Sequence, residues 1–101
     1  MRWADVGAKT RPVVLLTRDA IIGRLRSFLV APCTTTIRNL PSEVTLGTDD
    51  GLPRPCIVNL DNVTLVEAEA VGQLISTLGE DVMTEICSAL AVAVGCEAGR
   101  R

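Results

Sequence analysis

The chain has 101 residues, a net charge of −2 and 48% hydrophobic residues, with Trp3 and Phe28 as its only aromatic residues. This length indicates a single domain over residues 1–101 with an aliphatic core, and so hydrophobic a domain is expected to bury surface against a second copy or a partner. The chain lacks histidine, tyrosine and glycine-rich phosphate-binding motifs, which excludes imidazole-based catalysis and makes a nucleotide cofactor unexpected.

Two hydrophobic runs predict the first long strands. Pro12 to Thr17 is a continuous aliphatic and β-branched run, and Ser27 to Cys33 is a second one. Pro32 marks the second strand as an edge strand or the site of a bulge, because proline donates no ladder hydrogen bond. Between the two runs, the spacing of apolar residues over Arg18 to Arg26 predicts a short helix or a structured loop.

Shorter strands are predicted in the second half of the chain, separated by turn residues. The run from Gly47 to Pro55 has turn composition throughout and predicts a surface connection. Cys56 to Leu60 and Asn62 to Val66 are expected to form one long strand, or two strands joined by a bulge at Asp61. The other predicted strands are Glu43 to Leu46 and Val71 to Ser76.

The last predicted element is an amphipathic helix from about Glu80 to Val94. Gly79 is suited to the N-cap and Gly95 to the C-terminal end, while acidic residues in the first turn complement the helix dipole. The apolar stripe that indicates this helix consists of Met83, Cys87, Leu90 and Val94.

The four cysteines do not form a metal-binding pattern. Cys33, Cys56, Cys87 and Cys96 include no C-x-x-C pair, and the chain has no histidine to complete a zinc site. Their apolar neighbours favour reduced, mostly buried thiols in a cytoplasmic protein. No segment reaches the roughly 20 apolar residues that a membrane span requires, so we expect no membrane contact.

Charge is distributed unevenly along the chain. Up to Leu40 there are seven basic and two acidic residues, whereas from Pro41 onward there are three basic and ten acidic residues. The first half can therefore present a positive field to a polyanion, unless folding mixes the two halves and cancels it.

Arg11 and the run Thr34 to Thr36 are the candidate site, because both stand at the rim of a predicted strand in the basic half. A guanidinium fork and neighbouring hydroxyls suit a phosphodiester. RNA is the substrate that such a site can cleave without a metal ion, since its own 2′-hydroxyl is the nucleophile. The alternative is that Arg11 is an ordinary solvent-exposed residue beside a strand and that the threonines are ordinary strand residues.

Six segments in this order resemble the MazF/PemK family of toxin endoribonucleases, from about Arg11 to Gly95. The last of them is the closing helix. The other five are Arg11-Pro12-Val13-Val14, Val30-Ala31-Pro32-Cys33-Thr34-Thr35, Leu40-Pro41-Ser42-Glu43-Val44, Gly51-Leu52, and Val58-Asn59-Leu60-Asp61-Asn62-Val63-Thr64.

The resemblance implies an α+β fold, a small SH3-like antiparallel β-barrel of the CcdB/MazF type with a C-terminal helix. It also implies a homodimer that cleaves single-stranded RNA without a cofactor, inhibits growth, and is neutralised by a cognate MazE-like antitoxin. By position in the family pattern, Arg11 and Thr34 would be catalytic and Asn62 would help to bind RNA. Further candidates for RNA binding are Lys9, Thr35, Arg38 and Asn39.

The chain departs from the family pattern before Arg11, where only Met1 to Thr10 precede the arginine. The segment from Trp3 to Val6 corresponds to the end of a longer first strand, so the loop that follows it is expected to be short. A start site assigned downstream of the natural one is the alternative explanation.

Two other functions remain open at the level of sequence. One is a non-enzymatic toxin of the same fold, such as the gyrase poison CcdB, which acts by binding a protein. The other is a module that binds peptides or RNA without chemistry, although the scarcity of aromatic residues weakens it.

Overall fold

An antiparallel sheet followed by a helix makes up the part of the chain that the computed structural model describes, residues 1–7, 9–17 and 26–95. The elements are β1 (Arg2–Val6), β2 (Lys9–Leu15), β3 (Ser27–Thr34), β4 (Glu43–Leu46), β5 (Cys56–Asn59), β6 (Thr64–Glu67), β7 (Val71–Leu74) and α1 (Glu80–Ala93). The strands lie in the order β4-β5-β3-β2-β1-β7, with β6 beside β3. A mixed fold with a C-terminal helix is therefore confirmed, while the short helix predicted over 18–26 falls almost entirely on residues outside those described.

β3 is an interior strand of the sheet, because it pairs with three neighbours, β2, β5 and β6. One side pairs with β2, while the other pairs with β6 over residues 27–30 and with β5 over residues 33–34. Pro32 lies between these two pairings, where a residue without an N–H interrupts few ladder hydrogen bonds. The prediction of an edge strand at Pro32 is wrong. Around Asp61 the structure has two strands, β5 and β6, and a 3-10 turn over Leu60–Asn62 joins them in place of the predicted bulge.

The β1–β2 hairpin begins the sheet earlier than predicted. β2 starts at Lys9 instead of Pro12, because residues 9–11 pair with β1. Val6 pairs with Lys9 across a two-residue connection in which Gly7 has a φ of +64°, a conformation that glycine adopts without strain. The connection is therefore as short as the sequence predicted, and the hairpin fixes the backbone immediately before Arg11.

The hydrophobic core occupies both faces of the sheet, since successive residues of a strand point to opposite sides. Val14 of β2 belongs to a cluster with Val58 and with Ile86 of α1, whereas Val13 packs with Phe28 on the other face. Both valines are almost completely buried. Their packing holds β2 and β3 in register, and the ends of these two strands carry the candidate site.

The helix α1 has nearly the predicted bounds but a different buried stripe. Gly79 is the N-cap, and Gly95, with a φ of +70°, follows the last turn. Ile86 and Ala89 are buried, whereas Cys87 and Val94, two of the four residues of the predicted stripe, are exposed. The stripe that contacts the sheet is thus rotated by about one residue from the predicted one. Within the described residues, no helix is long and apolar enough to cross a membrane.

The connection from Gly47 to Pro55 is only partly a surface loop. It contains a 3-10 turn over Thr48–Asp50, and most of its residues are exposed as predicted. Leu52, however, is only 5% exposed and belongs to the core cluster below α1. This anchor holds the connection against the sheet, so that the residues next to Leu52 lie beside the ends of β2 and β3.

Candidate functional site

Arg11 and Thr34 are brought together by the register of β2 and β3. Val13 pairs with Pro32, and Arg11 and Thr34 each lie two residues further along, on the same side of their strands as Val13 and Pro32. Both line a small cavity of about 200 Å³, which we call the polar pocket. Its lining consists of Arg11, Pro32, Thr34, Thr36, Arg38, Asn59 and Asn62.

A larger depression of about 520 Å³, which we call the groove, adjoins the polar pocket. Arg11, Thr34 and Thr36 line both, so the two depressions meet at these three side chains. The remaining lining of the groove consists of Trp3, Lys9, Thr10, Pro12, Cys33, Thr35, Leu52, Pro53, Arg54 and Cys56.

The guanidinium of Arg11 is available for a ligand. Its Nε is buried and has no hydrogen-bond partner among the described residues. A buried N–H without an acceptor costs about 1–3 kcal/mol, and an anion bound here would remove that cost. The planar fork of the guanidinium fits two oxygens of a phosphate group.

The hydroxyl of Thr34 is oriented by its own backbone turn. Its Oγ1 accepts a hydrogen bond of 3.2 Å from the N–H of Thr36. Because Oγ1 acts as an acceptor in this bond, the hydroxyl proton is left to donate to a ligand. Thr34 thus offers a fixed donor opposite Arg11.

Asn59, the last residue of β5, is the N-cap of the 3-10 turn over Leu60–Asn62, and Asn62 is the last residue of that turn. Asn59 is 5% exposed, and its Oδ1 accepts a hydrogen bond of 2.9 Å from the N–H of Asp61. The Asp61 carboxylate in turn accepts a hydrogen bond from the hydroxyl of Ser42. These bonds hold the turn against β4, so that the amides of Asn59 and Asn62 line the polar pocket.

Arg38 is carried by a loop that Glu43 holds in place. Oε1 of Glu43 accepts hydrogen bonds from the N–H of Arg38 at 3.1 Å and from that of Leu40 at 3.4 Å. Asn39, between them, has a φ of +56°, a left-handed conformation that asparagine tolerates better than most residues. The same loop leads from Thr36 to β4 and closes the polar pocket on one side.

The charge around the two depressions is positive. Lys9, Arg11, Arg38 and Arg54 line them, which is four of the six basic residues that the structure describes, and none of the described acidic residues does so. Nor do three or more cysteine or acidic side chains come together within the described ranges in a way that could hold a metal ion. The arrangement suits an anionic ligand.

Two thiols lie at the floor of the groove. Burial, and next to it the neighbouring Cys56, raise the pKa of the Cys33 thiol to about 12, and burial also raises the pKa of Cys56. Both are free and buried, whereas Cys87 is free and exposed, and Cys96 lies outside the described residues. Cys33 and Cys56 therefore remain neutral thiols near pH 7 and are poor nucleophiles.

The structure brings most of the candidate residues together and adds others. Arg11, Thr34, Arg38 and Asn62 line the polar pocket, and Lys9 and Thr35 line the groove, whereas Asn39 lines neither. Thr36, the last residue of the predicted hydroxyl run, lines both depressions. Residues that line the depressions but that the sequence did not single out include Trp3, Arg54 and Asn59, which depend on the β1–β2 register and on the path of two connections.

Comparisons with known proteins agree with this geometry. Residues 2–94 match the family model described as PemK-like, MazF-like toxin of type II toxin-antitoxin system. Over 94 residues the chain is 51% identical to the probable endoribonuclease MazF5 of Mycobacterium tuberculosis, an alignment that covers 92% of this chain and 84% of the relative.

Solved structures with the same fold include two mycobacterial proteins. The Mycobacterium tuberculosis toxin MazF-mt6 superposes with a TM-score of 0.89 at 32% identity, covering 93% of this chain and 94% of that one. An endoribonuclease in complex with its cognate antitoxin, from a mycobacterial species, superposes with a TM-score of 0.85 at 26% identity, covering 95% and 91%.

Proposed function

The chain belongs to the PemK-like, MazF-like toxin family of type II toxin–antitoxin systems, and we propose that it is an endoribonuclease that cleaves single-stranded RNA. The named relatives at up to 51% identity support this activity. The observation in the molecule that carries it is the buried, unpartnered Nε of Arg11 opposite the oriented hydroxyl of Thr34.

In the proposed reaction, the 2′-hydroxyl of the RNA attacks the adjacent phosphorus while the bond to the 5′-oxygen breaks. Arg11 stabilises the negative charge that grows on the phosphoryl oxygens, and Thr34 donates a hydrogen bond that holds the phosphate in line. The proton lost by the 2′-hydroxyl is balanced by the one that the 5′-oxygen gains. The products are a 2′,3′-cyclic phosphate and a 5′-hydroxyl, and the step requires neither a metal ion nor a cofactor.

The remaining polar residues would bind the RNA around the scissile phosphate. Lys9 and Arg38 are the expected backbone contacts, since each places a positive charge at one depression. Thr35 and Asn62 supply neutral hydrogen-bonding groups beside them. Asn39 lines neither depression, and its expected contribution is to the shape of the loop that carries Arg38.

The assembly that we propose follows from the family. The sheet is expected to close into an SH3-like barrel within a single domain of residues 1–101, and the domain is expected to form a homodimer in the cytoplasm. Leu65 and Leu74 are apolar side chains that are 66% and 50% exposed, which supports their burial against a second copy or a partner. A cognate MazE-like antitoxin is expected to cover the polar pocket and the groove and so exclude RNA, as one mycobacterial relative was solved with its cognate antitoxin.

A cleavage assay with a chelator tests the proposal directly. The purified protein should cut a labelled mixed-sequence RNA in excess EDTA, and the upstream fragments should end in a 2′,3′-cyclic phosphate. A DNA oligonucleotide of the same sequence is the matched control, because without 2′-hydroxyls it should stay intact. Intact RNA together with inhibition of DNA gyrase would overturn the proposal in favour of a CcdB-like poison.

A further inference from the structure

The groove has one wall that the proposed cleavage step does not use, and Trp3 belongs to it. Trp3 is 39% exposed, whereas Phe28, the other aromatic residue of the chain, is 8% exposed in the core. Pro12 lies opposite Trp3 on β2. On the other side, Gly72 of β7 has no side chain, and a Cβ built there would be 3.9 Å from the Cβ of Trp3. The neighbouring strands thus leave part of the indole open.

The walls near Trp3 have the composition of a pocket for a flat heteroaromatic ligand. Pro12, Leu52 and Pro53 are apolar, while Lys9 and Arg54 supply positive charge. The volume of about 520 Å³ is within the range of small-molecule sites, and the polar pocket, at about 200 Å³, is below it. A phosphate suits the smaller cavity, and a nucleobase suits the larger one.

The two cavities are joined where the reaction is proposed to occur. A phosphate held by Arg11 and Thr34 lies at the border that both depressions share. A nucleoside attached to one side of that phosphate can therefore reach the groove. Single-stranded nucleic acids commonly bind by stacking their bases on aromatic side chains beside basic residues.

We propose that the groove is a nucleobase subsite, in which one unpaired base next to the scissile phosphate stacks on Trp3 near Arg54. This inference rests on the proposed endoribonuclease function. It adds to that function a residue that holds the base at one position beside the scissile phosphate.

Intrinsic fluorescence gives a direct test, because the chain has one tryptophan and no tyrosine. The cleavage site is first mapped with the unmodified protein. A 2′-O-methyl RNA spanning that site, which cannot attack itself, is then titrated while the emission is recorded. Binding should quench the emission of Trp3, and an abasic nucleotide at one position next to the scissile phosphate should abolish the quenching.

A pair of variants tests whether Trp3 and that base interact. Trp3→Ala should weaken binding about ten- to hundred-fold, which is the usual effect of losing one base–aromatic stack. The abasic substitution should weaken binding to the unmodified protein by a similar factor but should have little further effect on Trp3→Ala. Trp3→Phe should retain most of the affinity, and Val92→Ala, which shortens an apolar side chain of similar exposure on α1 outside both depressions, should bind normally.

The outcomes separate this inference from the proposed function. If the unmodified protein cuts no RNA, the proposed function fails. If the protein cuts RNA but no abasic position changes the quenching of the Trp3 emission, the nucleobase subsite is wrong while the proposed function stands. The same conclusion follows if Trp3→Phe and Trp3→Ala cleave the same positions at the same rate. Should Trp3→Ala fail to fold, the abasic series on the unmodified protein still decides the question.

Discussion

Opposite charges line two regions of the molecule. One is the cationic edge, which the polar pocket and the groove form together, and the other is the side of the molecule around α1. The edge is lined by four basic side chains and no described acidic one, whereas the depressions beside α1 are lined by Glu43, Glu80 and Glu85 without a described basic residue. The protein is acidic overall, with a net charge of −2. The difference teaches that local charge, and not net charge, selects the ligand of each surface.

The largest effect on RNA cleavage is expected for Arg11, which lines both depressions of the cationic edge. Arg11→Ala should lower the rate of RNA cleavage by about 10²–10³ or more, because it removes both a charge and preorganised donors. Arg11→Lys should remain impaired, since an ammonium group does not reproduce the fork. Single-turnover cleavage measures the effect, and the thermal unfolding midpoint shows whether the variant is folded.

Arg26→Ala is the matched control for Arg11, because Arg26 is an exposed cation that lines neither depression. It should cleave RNA like the unmodified protein. Equal rates for Arg11→Ala and the unmodified protein would remove Arg11 from the site.

A smaller loss is expected at Thr34. Thr34→Val keeps the shape of the side chain but removes a hydrogen bond to a charged phosphate, which corresponds to about 10–10² in rate. Thr34→Ser should keep most of the activity, because it retains the hydroxyl that donates to the phosphate and accepts from the Thr36 N–H. Thr45→Val, on the exposed side of β4, controls for a general effect of replacing a strand threonine. A Thr34→Val protein with full activity would contradict the role of this hydroxyl.

A third prediction tests the charge contrast itself through salt dependence. Lys9→Ala, Arg38→Ala and Arg54→Ala should each reduce the slope of log affinity against log salt by about 0.7, the value expected for losing one phosphate contact to a single strand. Binding of a 2′-O-methyl RNA at several salt concentrations gives the slope. Glu85→Gln, on the α1 side, should leave it unchanged. If Glu85→Gln changes the slope as much as the basic variants do, long-range net charge controls binding and the contrast carries no information.

The sequence predicts the elements of the fold better than the composition of the site. Strands such as β3 and β4 are strongly patterned, and the hydroxyl run next to Cys33 identifies the end of β3 with Thr34. Trp3 and Arg54, by contrast, reach the groove through a hairpin register and through the burial of Leu52, which are tertiary effects that local patterns do not encode. The buried stripe of α1 is misjudged for the same reason, since the position of the sheet determines which side of the helix is covered.

The last prediction, with the smallest expected effect on activity, concerns Cys33 and Cys56, the two neutral thiols that line the groove beside its basic side chains. Burial keeps Cys33 protonated up to a pKa of about 12, whereas in the unfolded chain the thiol ionises near its ordinary pKa of 9.0. Between these pH values the unfolded state binds fewer protons than the folded state. The contribution of the Cys33 thiol to the free energy of unfolding is therefore complete below pH 9 and is lost as the pH rises towards 12.

Thermal unfolding midpoints measured between pH 8 and pH 11 should therefore fall. They should fall less steeply in Cys33→Ala, which removes the titrating thiol and, at pH 8, is destabilised by the cavity left in the core. Near pH 8 a thiol reagent should modify the exposed Cys87 while Cys33 and Cys56 stay protected. Rapid modification of Cys33 in the folded protein would mean that the floor of the groove carries a thiolate, which would place an anion next to Arg11 and weaken the case for a phosphate there.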